Sequence, residues 1–79
     1  MKVIDEKPWS HVLMEQGEDW ILTLLIRTGP VENDVTIKLS ENEISAIKSD
    51  KGAIQTLLAE IKDDWNKFSE REIRPPVWP

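Results

Sequence analysis

The first half of the chain alternates hydrophobic and polar residues in short runs, as β-strands do. Two such runs are Trp9–Glu15 and Trp20–Arg27. Between them, Gly17 can take the positive φ of a tight hairpin turn. A third run, Asp34–Leu39, alternates cleanly after the turn-rich segment Thr28–Asn33. The pattern therefore predicts a three-stranded antiparallel meander.

A loop formed by Gly17 and Glu18 sets the pairing of the first two strands. Counting outward places Glu15 opposite Trp20, Leu13 opposite Leu22, His11 opposite Leu24, and Trp9 opposite Ile26. The third strand then shares the same apolar face, with Val35 beside Ile26, Ile37 beside Leu24, and Leu39 beside Leu22. Because a one-residue slip would move every apolar side chain to the other face, this agreement supports the sheet. The pattern leaves open whether Val3–Ile4 adds a fourth strand.

The chain then carries a clear helix start. Ser40 and Glu43 fit a capping box, which predicts a first, short helix over Glu41–Ser49. A break is expected near Asp50, because one continuous rod would place Gly52 inside a helix at a cost of roughly 1 kcal/mol.

A second, longer helix has its apolar residues on one stripe about 100° wide. The stripe consists of Ile54, Leu57, Leu58, Ile61, Trp65 and Phe68. We expect this helix to cover one face of the sheet and to end near Ser69 or Glu70. The segment 74–79 is rich in proline and is predicted to be an extended C-terminal tail. Together these elements predict a single α+β domain over residues 1–79, in the order β-β-β-α-α.

The opposite face of the predicted sheet, here called the second face, is also apolar. It presents Val12, Met14, Ile21 and Leu25, although a sheet solvated on one side usually alternates apolar and polar residues more cleanly. Something is therefore expected to cover it. The candidates are the N-terminal segment or first helix, the C-terminal tail, or another protein chain. Trp78 in the tail is costly to expose and frequent at interfaces, so it joins the second-face residues as a candidate interaction surface.

Composition narrows the classes of function. The 79 residues carry 15 Asp plus Glu against 10 Lys plus Arg, a formal net charge of −5. Affinity for nucleic acid phosphates comes mainly from Lys and Arg, so we expect no nucleic-acid partner. The longest apolar stretch lies inside Trp20–Ile26, far short of the roughly 20 residues of a membrane span. With no signal-peptide pattern at the N-terminus, we expect a cytoplasmic location and no membrane partner.

Residues that could carry chemistry are few and scattered. His11, the single histidine, lies among apolar neighbours of the predicted sheet, which indicates packing or hydrogen bonding. If buried while neutral, it would have to charge as the pH falls. A Ser-His-Asp set could be assembled on Ser10, Ser40 or Ser45, but none of them lies in a nucleophile elbow. Adjacent acids such as Asp63 and Asp64 point about 100° apart and lack metal-site spacing. We therefore expect no catalytic, metal-binding or cofactor-binding residues.

These observations favour a non-enzymatic protein that binds another protein through its acidic helix surface, its second face, or both. An acidic surface steers a protein towards a basic partner, such as a nuclease toxin or another nucleic-acid-binding protein. In outline, a small acidic protein of this kind resembles many bacterial immunity and toxin-neutralising proteins, which implies an immunity- or antitoxin-like role. Two alternatives stay open. One is a homodimeric structural module, and the other is a small-ligand or enzymatic site formed only at a subunit interface.

Overall fold

The structure, a computed structural model, describes residues 2–7, 10–28 and 31–78, with only the backbone of residues 27, 28, 31 and 32. Within these ranges one antiparallel sheet holds β1 (Lys2–Lys7), β2 (His11–Gln16), β3 (Asp19–Thr28), β4 (Val31–Lys38) and β5 (Glu72–Ile73), side by side in chain order. Between β4 and β5 come α1 (Glu41–Ser49), α2 (Ala53–Asp63), α3 (Trp65–Phe68) and a 3₁₀ helix (Ser69–Arg71). The α+β class and the meander followed by helices are confirmed. The strand count differs from the prediction: the fourth strand left open at Val3–Ile4 is present as β1, and β5, at the other edge, was not predicted.

The β2–β3 hairpin has the register that the loop count predicts. Leu13 pairs with Leu22, and Glu15 pairs with Trp20. Gly17 has a φ of 62°, as a tight turn of this kind requires. The predicted pairing of Trp9 with Ile26 lies outside the described residues.

The predicted β3–β4 register was wrong by two residues. Val35 pairs with Leu24 instead of Ile26. The prediction treated Thr28–Asn33 as turn, whereas both strands continue until Thr28 pairs with Val31. Because the shift is an even number of residues, the side chains keep their faces. The apolar face shared by the three strands therefore survives the correction.

β1 is irregular where it pairs with β2. Val3 pairs with Met14 and Asp5 pairs with Leu13, so Ile4 is an extra residue in β1. A bulge of this kind redirects the side chains that follow it. As a result Ile4 packs against the main core, and Asp5 shares a face with Leu13.

The main core lies between the helices and one face of the sheet, here called the helix face. Sheet and helix residues bury each other there, and Trp20 and Trp65 pack against them half-buried. The buried residues are Leu13, Leu22, Leu24, Ile26, Val35, Ile37, Leu39, Ile47, Ile54, Leu57, Leu58, Ile61 and Phe68. The predicted stripe of the second helix therefore covers the sheet as expected.

α1 has the predicted bounds because its capping box forms. The Ser40 side chain accepts the Glu43 amide at 3.3 Å, and the Ser40 amide donates to Glu43 Oε1 at 2.8 Å. The predicted break is also confirmed, since Asp50 ends α1 with an extended backbone and Gly52 precedes α2.

The predicted end of the second helix near Ser69 or Glu70 was wrong. α2 stops at Asp63, and Asp64 leaves the helical region with φ −140° and ψ 75°. Aspartate is a poor helix former, and a negative charge is unfavourable at a helix C-terminus. The hydrophobic spacing continues across this break, because α3 still places Phe68 in the core.

The positive φ of Gly17 yields a stability prediction. Gly17→Ala should lower the free energy of unfolding by about 1 kcal/mol, because a Cβ is unfavourable in the left-handed region. Apart from Gly17 and its two neighbours in the chain, no residue has an atom within 4 Å of that Cβ position, so the cost is conformational. Gly17→Asn should cost less, since Asn tolerates this region. Urea unfolding followed by Trp fluorescence measures both, and equal losses for Ala and Asn would contradict this explanation.

Candidate protein-binding site

The second face of the sheet is covered by the chain's own C-terminus. Val12, Met14 and Ile21 are 3%, 0% and 1% exposed and form a small core of their own, against which Ile73 and Val77 pack. Residues 72–78, here called the C-terminal strap, begin as β5 beside β4 and continue over this face. Of the candidate covers that the sequence left open, the C-terminal tail is the one that lies on the second face.

A ring of hydrogen bonds fixes the strap on the face. Thr23 and Thr36 are a cross-strand pair with fully buried side chains. The Thr23 hydroxyl donates to the Val77 carbonyl at 2.6 Å, and the Val77 amide donates to Thr36 Oγ1 at 2.9 Å. Since Thr23 has only one hydroxyl proton, the 2.7 Å contact between the two hydroxyls is a bond that Thr36 donates. With the protons placed in this way, all three hydrogen bonds form at the same time.

The residues predicted to form an interaction surface therefore differ in accessibility. Val12, Met14 and Ile21 lie under the strap, and Leu25 is half-buried. Trp78 is 42% exposed, and its indole Nε1 donates to Asp34 Oδ2 at 2.7 Å. A binding role for the three buried residues stays a prediction, and it would require the strap to leave the face.

His11 is held in a small polar cluster at the β1–β2 edge. Its Nε2 lies 2.9 Å from Asp5 Oδ2, and its Nδ1 lies 3.4 Å from Ser10 Oγ. The bulge in β1 makes this contact, because it places Asp5 on the side of the sheet that His11 occupies. The order of groups resembles a Ser-His-Asp triad, but the His11 side chain is only 1% exposed. The arrangement thus pins β1 to β2 and does not present the imidazole to a substrate.

A groove between α1 and α2 combines an apolar floor with an acidic rim. It has a volume of about 430 Å³. It is lined by Glu43, Ala46, Ile47, Asp50, Gly52, Ala53, Thr56, Leu57 and Glu60. We call it the acidic groove, because its charged lining residues are all carboxylates. It exists because the break at Asp50 folds α2 back beside α1.

The three rim carboxylates differ in what they already bind. Arg71 donates from Nη1 and Nη2 to Glu43 Oε1 and Oε2, at 2.6 and 3.0 Å. Asp50 Oδ1 accepts the Gly52 amide at 2.9 Å. Within the described residues, neither Asp50 nor Glu60 forms an ion pair. The negative charge that the groove offers to a partner is therefore mainly that of Asp50 and Glu60.

The pKa of Glu43 reflects these contacts. Partial burial alone would raise it, but hydrogen bonds from Arg71 and the Ser40 amide, with the charge of Arg71, outweigh burial and lower the pKa below its ordinary value near 4.5. Glu43 is thus held as a carboxylate by the chain itself.

The sequence did not single out the acidic groove. Glu43 was explained by capping, and the remaining acids were interpreted as solvated. The break near Asp50 was the available signal, since two helices joined by a short turn pack side by side and leave a groove between them. Which acids border that groove depends on how the two helices cross.

Two other kinds of feature are absent from the described residues. No group of three or more His, Asp or Glu side chains in the described part of the chain could hold a metal ion. Among the described helices, none is long and apolar enough to cross a membrane. Comparisons with protein-family models, curated proteins and solved structures find no match for this chain.

The hydrogen-bonded ring predicts a cost for removing one hydroxyl. Thr36→Val should lower the free energy of unfolding by about 1–3 kcal/mol, because it leaves the partly buried Val77 amide without its acceptor. Hydrogen exchange of that amide should accelerate. Thr56→Val, the same substitution at an exposed helical site, should change stability by less than about 0.5 kcal/mol. Unchanged protection of the Val77 amide in Thr36→Val would show that the ring of hydrogen bonds does not hold the strap on the second face.

The lowered pKa of Glu43 predicts an acid dependence of stability. Because the folded pKa lies below the unfolded value near 4.5, the ionised Glu43 stabilises the fold above that pH, and this contribution is lost as the pH falls through the folded pKa. The stability gap between wild type and Glu43→Gln should therefore narrow from about pH 6 to about pH 3. Urea unfolding at each pH measures the gap. Glu41→Gln, in the same helical turn, is the control, and a constant gap for Glu43→Gln would contradict the assignment.

Proposed function

We propose that the protein is a non-enzymatic binding module that takes a basic segment of another protein into the acidic groove. The observation that carries this proposal is the pairing of an apolar floor with two rim carboxylates, Asp50 and Glu60, that have no cationic partner in the described part of the chain. Neutralising a basic protein, as immunity proteins and antitoxins do, is one form of this function, and a cytoplasmic location suits it.

The groove suits the chemistry of lysine and arginine side chains. Both have a long apolar stem that packs along hydrophobic surface and a charged head that stays at the rim. Ala46, Ala53 and Leu57 provide apolar surface for the stem, while the rim carboxylates provide acceptors for the head. A net charge of −5 adds a long-range attraction that speeds encounter with a basic protein.

The two rival functions receive less support from the geometry. A homodimeric module was suggested by the apolar second face, and the strap already buries Val12, Met14 and Ile21 there. An enzymatic or ligand site at a subunit interface would need an accessible His11, whose side chain is 1% exposed. A protein-binding role uses a groove that is open in the single chain.

Charge reversal at the rim tests the proposal. Asp50→Lys/Glu60→Lys should weaken binding of a fluorescently labelled basic peptide by at least about tenfold, because it replaces two attractions with two repulsions. The control Glu6→Lys/Glu18→Lys makes the same change in net charge at exposed sites away from the groove. Fluorescence anisotropy at low and high salt measures both. Equal weakening by the two double variants would show that only net charge matters and would overturn the groove as the site.

A further inference from the structure

We propose that the occupant of the acidic groove is a helix that carries two basic residues seven positions apart, one binding Asp50 and the other Glu60. This inference rests on the proposed function and deepens it by naming the shape of the partner segment and the spacing of its charges.

The positions of the two carboxylates set the spacing. Asp50 Oδ1 accepts the Gly52 amide at 2.9 Å, so this carboxylate lies at the N-terminal end of α2. Glu60 lies eight residues after Gly52, which corresponds to about 12 Å along the helix axis, slightly less once the side chain leans towards the N-terminus. In a partner helix, residues seven apart lie on one face and are separated by about 10.5 Å. Residues four apart, at about 6 Å, would span only half of this distance.

Small residues on the groove make room for a helix. Ala46, Gly52, Ala53 and Thr56 line it, and packed helices approach within about 8–10 Å of each other only where the side chains at the contact allow it. A hollow on the outer side of α2 shares Thr56 and Glu60 with the groove and continues as far as Asp63. The surface thus follows α2 along most of its length, which suits a partner helix lying beside it.

Glu43 is not a third binding residue for the partner, because other groups of the chain already bind its carboxylate. Both of its carboxylate oxygens accept hydrogen bonds from Arg71, and Oε1 also accepts the Ser40 amide. A partner cation at Glu43 would have to compete with a guanidinium that is already bound at two points. Glu43 therefore forms part of the groove wall, and the charge pattern that a partner meets has two positions.

Isomeric peptides test the spacing directly. Two helical peptides of identical composition, each about 16 residues long and rich in alanine, would carry two arginines either seven or five positions apart. The second spacing turns the arginines about 140° away from each other. We expect the seven-spaced peptide to bind the full chain about fivefold more tightly, because only it makes both ion pairs. Fluorescence anisotropy in low salt measures both affinities.

Variants of the protein test whether Asp50 and Glu60 cause the preference for the seven-spaced peptide. Asp50→Asn and Glu60→Gln should each abolish the difference between the two peptides, whereas Glu43→Gln should preserve it. Circular dichroism confirms that each variant is folded. A preference that survives both Asp50→Asn and Glu60→Gln would overturn the assignment of the anchors.

The outcomes separate this inference from the proposed function. If both peptides bind equally and Asp50→Asn and Glu60→Gln weaken both, the spacing is wrong and the basic-segment function stands. If a proline-interrupted peptide with the same arginine spacing binds as tightly as the helical one, the helical partner is wrong. If no basic peptide binds the chain, both the proposed function and this inference fall.

Discussion

Val77 donates its amide to Thr36 and accepts the hydroxyl of Thr23, and closure of the second sheet face depends on this exchange. An extended segment that crosses an apolar face brings its own backbone N–H and C=O groups out of water, which is costly unless they find partners. The Thr23–Thr36 pair supplies both a donor and an acceptor inside that face. Seven residues can therefore cover a face that would otherwise need a second layer of helices.

The helix face is closed by a different device, and the acidic groove is its consequence. Because α1 ends at Ser49 and α2 begins at Ala53, the cover consists of helices folded against each other. Arg71 joins this cover to the sheet, since it binds Glu43 of α1 and donates to the Lys38 carbonyl at the end of β4. The chain then enters the strap one residue later. The groove and the strap are thus built from the two ends of one continuous segment that wraps the sheet.

Local signals in the sequence were sufficient for some elements. The capping box at Ser40 defines the start of α1 because it involves four consecutive residues, and the loop at Gly17 defines the β2–β3 register because it only requires counting. The β3–β4 register was missed because the turn was taken to be longer than it is, and hydrophobic alternation is equally consistent with a shift of two residues. The break at Asp64 was missed for a related reason. The hydrophobic spacing places Phe68 in the core whether or not the helix is interrupted at Asp64. The sequence could not single out the strap among the candidate covers of the second face, since its contacts with the sheet join residues that are 35 or more positions apart.

Under the proposed function, the distribution of charge makes two carboxylates more important than the total of −5. Arg71 is paired with Glu43, Arg74 with Glu72, and Lys38 with Asp19, so these basic side chains offset acids outside the open part of the groove. Net charge draws in basic proteins of any shape. Discrimination among them needs acids that are fixed in place beside apolar surface, because only a partner with matching geometry then gains both ion pairing and burial. In the proposed site Asp50 is held by the Gly52 amide at the start of α2 and Glu60 lies within α2, so under this proposal the rise of α2 sets the charge spacing that a partner has to match.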